Sequence, residues 1–226
     1  MAVIALASGM GTGVKYVAEM VARRLGVEVV YREVCPTGSE CPQSAVRKIE
    51  RLSQSPWDAG LSYLTASRHE QGLTELEEIC RWAQRGNVLI CGATALHFLS
   101  SVGHVTKIRV RTTMALRVRR IMACMGTDEP ELALNKILQS DQRQSDTLRK
   151  LFGISDAESP ALYDSVIDTG REPVESCALE IVKVAAQRAA VGAERWAETG
   201  AMVQRIHAAR ASLSGAGQKD SVGMSS

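Results

Sequence analysis

The first 31 residues run strand, glycine turn, helix and strand, and that order leaves few folds open. Residues 3–7 (VIALA) are apolar without alternation, as in a strand buried on both faces of a parallel sheet. They stop at Ser8-Gly9-Met10-Gly11-Thr12-Gly13. Helical spacing follows at once: Val14, Val17, Ala18, Val21, Ala22 and Leu25 share one face, and Gly26 is placed to cap the helix. Residues 27–31 (VEVVY) form the next strand. Strand, crossover helix and strand make a βαβ unit, whose parallel sheet needs helices on both faces.

The rest of the chain keeps that alternation. Helices are expected over 45–52, 73–85 (ended by Gly86-Asn87), 95–99, 114–125 and 174–190, and over 130–151 as one long helix or two. Strands are expected at 88–91 (VLIC), 105–110 and 165–168 (SVID). Pro36, Gly38, Pro42 and Pro56 read as breakers in the mixed stretch before residue 57. The implied class is a three-layer α/β/α domain with a mainly parallel sheet over residues 1–190. A helical extension follows over 191–211, with Val191, Met202, Val203 and Ile206 as an incomplete apolar stripe that gains stability by docking. From 212 to 226 the composition is that of a disordered tail.

A glycine turn between strand and helix suits phosphate: glycines let backbone N–H groups turn inward, and the helix end adds positive partial charge. A plain tight turn is the simpler reading. A Rossmann dinucleotide site needs G-x-G-x-x-G, and both Gly9-x-Gly11-x-x-Val14 and Gly11-x-Gly13-x-x-Tyr16 lack the third glycine, although Glu33 lies near the place of a ribose-binding acid. A Walker loop, G-x-x-x-x-G-K-[ST], would have Ser8 for its first glycine, Val14 for its lysine and Lys15 for its hydroxyl residue.

Several function classes are disfavoured. Aromatic residues are 4% of the chain, too few for a base-stacking platform, and a net charge of +2 does not suit general binding to nucleic acid. Six cysteines form no CxxC pair and have no histidine at ligand spacing, so they read as reduced core thiols of a cytoplasmic protein. No apolar run reaches the ~20 residues of a membrane helix. His97 and His104 read as surface or packing residues, and Trp57, Trp82 and Trp196 as packing anchors.

In motif order the chain resembles the cytidylate kinase-like family of P-loop kinases over about residues 2–188. Gly11-Thr12-Gly13-Val14-Lys15 is similar to that family's G-S-G-G-R loop, with Lys15 standing for its arginine. VLICGATA looks like its apolar strand ending in Gly-Arg, and residues 108–120 like its strand before an arginine-bearing helix. Ser140-Asp141-Gln142-Arg143, running to Leu151-Phe152-Gly153, is similar to its lid, where Asp-x-x-Arg precedes Phe-Gly. Tyr163-Asp164 and Asp168-Thr169-Gly170-Arg171 look like its closing Tyr-Asp and Asn-Thr-x-Arg.

The resemblance implies a P-loop kinase fold with a helical lid, and transfer of a phosphoryl group from ATP, with Mg²⁺, to a nucleoside monophosphate. Gly9, Met10, Gly11, Thr12, Gly13, Val14 and Lys15 would hold donor phosphates. Arg32, Gly92 and the segment from Arg47 to Arg68 would face the acceptor. Lys15, Asp141, Arg143 and Arg149 would be the catalytic set, Asp141 through magnesium or a lid arginine. Small nucleotides are the implied partners, and self-association is left open. Three departures set a rival, a nucleotide-binding regulator without turnover. Tyr31-Arg32-Glu33 replaces Asp-Arg-Glu, Gly92-Ala93 replaces Gly-Arg, and Ser140 stands where related kinases carry arginine before the lid aspartate.

Overall fold

The computed structural model describes residues 2–32, 56–67, 69–189 and 196–222. The helix expected over 45–52 lies outside the described residues, as does most of the segment expected to face an acceptor; only residues 56–67 of that segment are described.

Five strands form one sheet: β1 (Val3–Ser8), β2 (Glu28–Tyr31), β3 (Val88–Cys91), β4 (Val105–Arg111) and β5 (Ser165–Asp168). Their order is β2-β3-β1-β4-β5, and every pairing is parallel. The glycine-ended strand β1 is therefore central, in register with Val88 at Val3 on one side and with Val105 on the other. A Rossmann half-sheet pairs its first two strands directly. Here β3 stands between β1 and β2, so the dinucleotide alternative is set aside on topology.

Both faces of β1 are covered, which is why its sequence shows no polar alternation. Ala5 and Ala7 join one core cluster; Ile4 and Leu6 join the other. Among the described residues, the second face carries α1 (Val14–Leu25) and α7 (Val174–Ala189), whose Val17, Val21 and Ile181 are fully buried there. The first face carries α2 (Pro56–Ala66), α3 (Glu70–Arg85), α4 (Ala93–Phe98), α6 (Pro130–Phe152) and α8 (Trp196–Val222). The twelve-residue α5 (Met114–Met125) packs against α6 and against the turn after β1. These are the three layers implied by the sequence.

One element departs from the sequence expectation, and another is narrowed to one of its two alternatives. Pro56, read as a breaker, instead opens α2, where a first-turn proline lacks only an N–H that the helix would not use. The expected pair or single helix over 130–151 is one helix of 23 residues ending at Phe152.

Helix α8 docks on α3. Met202, Val203 and Ile206 enter the first core, and Glu77 of α3 accepts from Arg210 (2.7 Å) and pairs with His207 (2.9 Å). Arg205 reaches Asp58 at 2.5 Å. The helix continues through Val222, into the stretch read from composition as a tail. No described helix is long and apolar enough to cross a membrane.

Candidate functional site

The chain leaves β1 toward α1 on one face of the sheet and leaves β3 toward α4 on the opposite face. Such a divergence opens a crevice at the carboxyl ends of the strands, where α/β proteins place their ligands. Here it holds a cavity of about 520 Å³. Ser8 through Lys15 form its floor, Thr94 of α4 lines one side, and Ser140, Arg143, Gln144 and Thr147 of α6 line the other.

The floor is shaped by glycine. Gly11 (φ 79°) and Gly13 (φ 81°) both take left-handed backbone, which L side chains disfavour, and Gly13 is the residue from which α1 starts. A Cβ on Gly11 would lie 2.9 Å from the backbone oxygen of Arg117, so α5 packs directly against the loop.

All five loop carbonyls from Ser8 to Thr12 are engaged. Gln144 Nε2 donates to Ser8 O at 3.1 Å. The Thr12 hydroxyl donates to Gly9 O at 3.0 Å. Arg117 Nε donates to Met10 O at 2.6 Å. Arg120 Nη1 donates to Gly11 O at 3.3 Å and to Thr12 O at 2.8 Å, and the Thr169 hydroxyl reaches Thr12 O at 2.5 Å. In a trans peptide the C=O of one residue and the N–H of the next point in opposite directions. Carbonyls held by α5 thus turn the Gly11 and Gly13 N–H groups away from α5, to the open side. With the N-terminus of α1 this gives a concavity of the form that suits an anion.

The residues expected to act here separate into two groups. Gly9, Met10, Gly11, Thr12, Gly13, Val14 and Lys15 all line the cavity, and so does Arg143. Val14, in the Walker lysine position, turns partly into the second core. Asp141 instead is taken up by Arg117, which donates Nη1 and Nη2 to its two oxygens at 2.8 and 2.6 Å. Arg149 is 65% exposed, pairs with Asp146 at 2.5 Å, and does not line the cavity. Arg32 pairs with Glu78 at 3.3 Å and lies over Trp82, 5.0 Å from its ring centroid. Gly92 also lies off the cavity lining, and a Cβ there would fall 1.7 Å from Arg32 O. Close backbone approach accounts for this glycine.

Helical geometry explains the division on α6. Ser140, Arg143, Gln144 and Thr147 follow the i, i+3, i+4, i+7 spacing of one face, whereas Asp141 and Arg149 fall off it. Counting three residues along Asp-x-x-Arg from Asp141 also lands on Gln144, the residue that holds Ser8 O. Four contributors were given no role from the sequence: Arg117, Arg120 and Thr169, which stood only as parts of motifs, and Gln144. The legible signal was the i, i+3 arginine pair on α5, which entered only as an arginine-bearing helix after a strand. No spacing rule links Thr169 to Thr12.

An all-parallel sheet in this order, with a glycine loop between its central strand and helix, defines an α/β protein of the phosphate-binding-loop kinase class. The chain belongs to the cytidylate kinase-like family, whose model matches residues 3–171. Among solved structures, an uncharacterized protein from Eubacterium ventriosum is similar, with a TM-score of 0.57 and 13% identity over 82% of this chain and 99% of that one. Shikimate kinase from Acinetobacter baumannii, in complex with shikimate, is similar at a TM-score of 0.43 and 19% identity, covering 83% of this chain and 94% of its own. A gluconokinase from Sinorhizobium meliloti gives 0.46 and 14%, covering 83% and 93%. No curated protein matches the chain at a significant level.

Proposed function

We propose that the chain transfers a phosphoryl group from ATP to a nucleoside monophosphate, with a cytidylate-like acceptor. The observation that supports this reading is the cavity at the sheet's switch point, floored by the glycine loop and lined by Lys15 and Arg143. Phosphoryl transfer asks for positioning and positive charge more than for covalent chemistry. The loop holds donor phosphates, and Lys15 with Arg143 supplies the exposed cations beside it. Arg149 and Arg32 lie outside the cavity and act, if they reach it, only after rearrangement of their ion pairs.

Magnesium suits a site of this type without a dedicated protein cage, since it binds through phosphate oxygens, waters and one or two carboxylates. The described residues hold no cluster of three His, Cys, Asp or Glu side chains, so the metal would arrive on the nucleotide phosphates. When bound there, Mg²⁺ neutralises charge on the transferred group. The test is ADP release from ATP and Mg²⁺ with a panel of nucleoside monophosphates. Turnover with CMP above the others supports the proposal.

One observation favours a second reading. Val14 occupies the Walker lysine position and Ala93 follows Gly92, so two cations common to such kinases are absent from their usual places. ATP binding without ADP release for any acceptor identifies a nucleotide-binding regulator instead.

A further inference from the structure

We propose that Arg117 and Asp141 are a positioning couple for the phosphate loop, acting without contact to phosphate or metal. The inference rests on the phosphate-site reading above and assigns Asp141 a different task from the one its motif implies.

Arg117 is 9% exposed and uses three donors in two directions. Two grip the carboxylate of Asp141 in the fork geometry that guanidinium and carboxylate share. The third, Nε, holds Met10 O. Because the guanidinium is planar and rigid, fixing its fork on Asp141 fixes where Nε points. Fixing Met10 O fixes the peptide plane, and with it the Gly11 N–H on the open side. The chain of constraint runs Asp141, Arg117, Met10 carbonyl, Gly11 N–H.

The fit is tight enough to enforce this. A Cβ on Gly9 would lie 2.8 Å from Arg117 Nη2 and 3.2 Å from Asp141 Oδ1, so the loop backbone packs against the couple itself. Neither member lines the cavity. Asp141 is carried by α6, next to the face bearing Ser140, Arg143, Gln144 and Thr147. Loop orientation and the placement of Arg143 therefore share one support.

The alternative is a brace that joins α5 to α6 and leaves the loop unaffected; a further one is a magnesium-binding Asp141. Titration of inorganic tripolyphosphate and ATP into the full chain, each in EDTA and in Mg²⁺, separates them. Asp141→Asn keeps the shape and removes the charge that locks the fork, and Arg117→Lys keeps the charge and removes the fork. Each is expected to weaken tripolyphosphate binding about tenfold, equally with and without Mg²⁺. The double variant is expected to be no weaker than the single ones, because both act on one path. A loss confined to Mg²⁺ overturns the inference in favour of a metal ligand. Unchanged affinity with a lower melting temperature overturns it in favour of the brace. Should Arg117→Lys fail to fold, Asp141→Asn, at a partly exposed carboxylate, carries the test alone. Wild-type protein that binds neither probe removes the phosphate-site reading itself, before any variant is measured, and this inference with it.

Discussion

Arg120 and Thr169 converge on one atom, the carbonyl oxygen of Thr12, at 2.8 and 2.5 Å, and Arg120 Nη1 also donates to the Thr169 hydroxyl at 3.0 Å. Three elements meet there: the loop after β1, helix α5 and the turn after β5. The closing motif of the sequence thus ends up as a clasp on the opening one. Thr169→Val removes the shared hydroxyl at a buried site and leaves its shape. Stability is expected to fall by about 1 kcal/mol and ATP affinity by several-fold. Urea denaturation and calorimetry read the two effects, and a variant that loses neither would show that Arg120 alone holds the carbonyl.

Val14→Lys restores the cation missing from the loop. Val14 already lines the cavity, so the new side chain can extend along it with its stem against neighbouring apolar surface. Turnover is expected to rise on the order of tenfold or more over the natural protein. A folded variant that binds ATP but gains no ADP release points to the regulator reading.

Gly92 is read here as a packing requirement. Gly92→Ala would bring a methyl group to 1.7 Å from the Arg32 carbonyl, a backbone atom that cannot swing aside. A loss of about 3 kcal/mol or more is expected, of the size seen for severe overpacking. Chemical denaturation decides this; a stable Gly92→Ala protein with weakened acceptor binding would return Gly92 to the ligand side.

His97 gives the fold a pH dependence. It is 1% exposed, lies between Phe152 and Tyr163, and its Nε2 has no hydrogen-bond partner among the described residues. Burial, with Arg109 and Lys107 adding, pushes it from 6.5 down to about 4. The unfolded chain then binds a proton that the folded chain refuses between those values. Stability is complete above pH 6.5 and falls as pH drops toward 4, by roughly 3 kcal/mol from this group. Denaturant midpoints measured across that window should show a shallower slope in His97→Phe; an unchanged slope assigns the effect elsewhere.

Removing α8 should weaken the domain as well as expose it. Deletion of residues 196–222 takes Met202, Val203 and Ile206 out of the first core, and a melting temperature lower by roughly 5 °C or more is expected. Acid gives a second check. Glu77 is held below its ordinary value, first by its hydrogen bond to His207 and then by Arg81 and Arg210, against the opposing effect of burial. Its contribution persists above the ordinary carboxylate range and is lost as pH falls through the lowered folded value. Melts repeated in acid should therefore narrow the gap between the full and shortened chains, and a gap independent of pH would remove Glu77 from the docking.

Much of the architecture was readable because it rests on local pattern. Uniformly apolar β1 and β3, and the clear stripe of α1, announce a parallel sheet without long-range information. Helix α2 was missed for the opposite reason. Trp57, Ala59, Leu61, Tyr63 and Leu64 are all buried, so it has little polar face to betray its period, and its leading proline reads as a stop. At the site, the glycine floor was legible because strand, turn and helix are contiguous. Asp141 was legible as a motif and not as a partner, since its contact with Arg117 depends on how α5 and α6 pack. Arg149 carried the right chemistry at the wrong helical phase.

Apart from the local bonds of Thr12 to Gly9 O, the clasps on the glycine loop among the described residues come from more than a hundred residues downstream: Arg117 and Arg120, then Gln144, and last Thr169. During synthesis, the loop therefore leaves the ribosome well before the residues that hold these carbonyls. At about 5–20 residues per second, the wait between Thr12 and Thr169 is on the order of ten seconds or more. An N-terminal fragment can therefore carry the whole glycine sequence and still lack the site, whose completion coincides with the arrival of the edge strand β5.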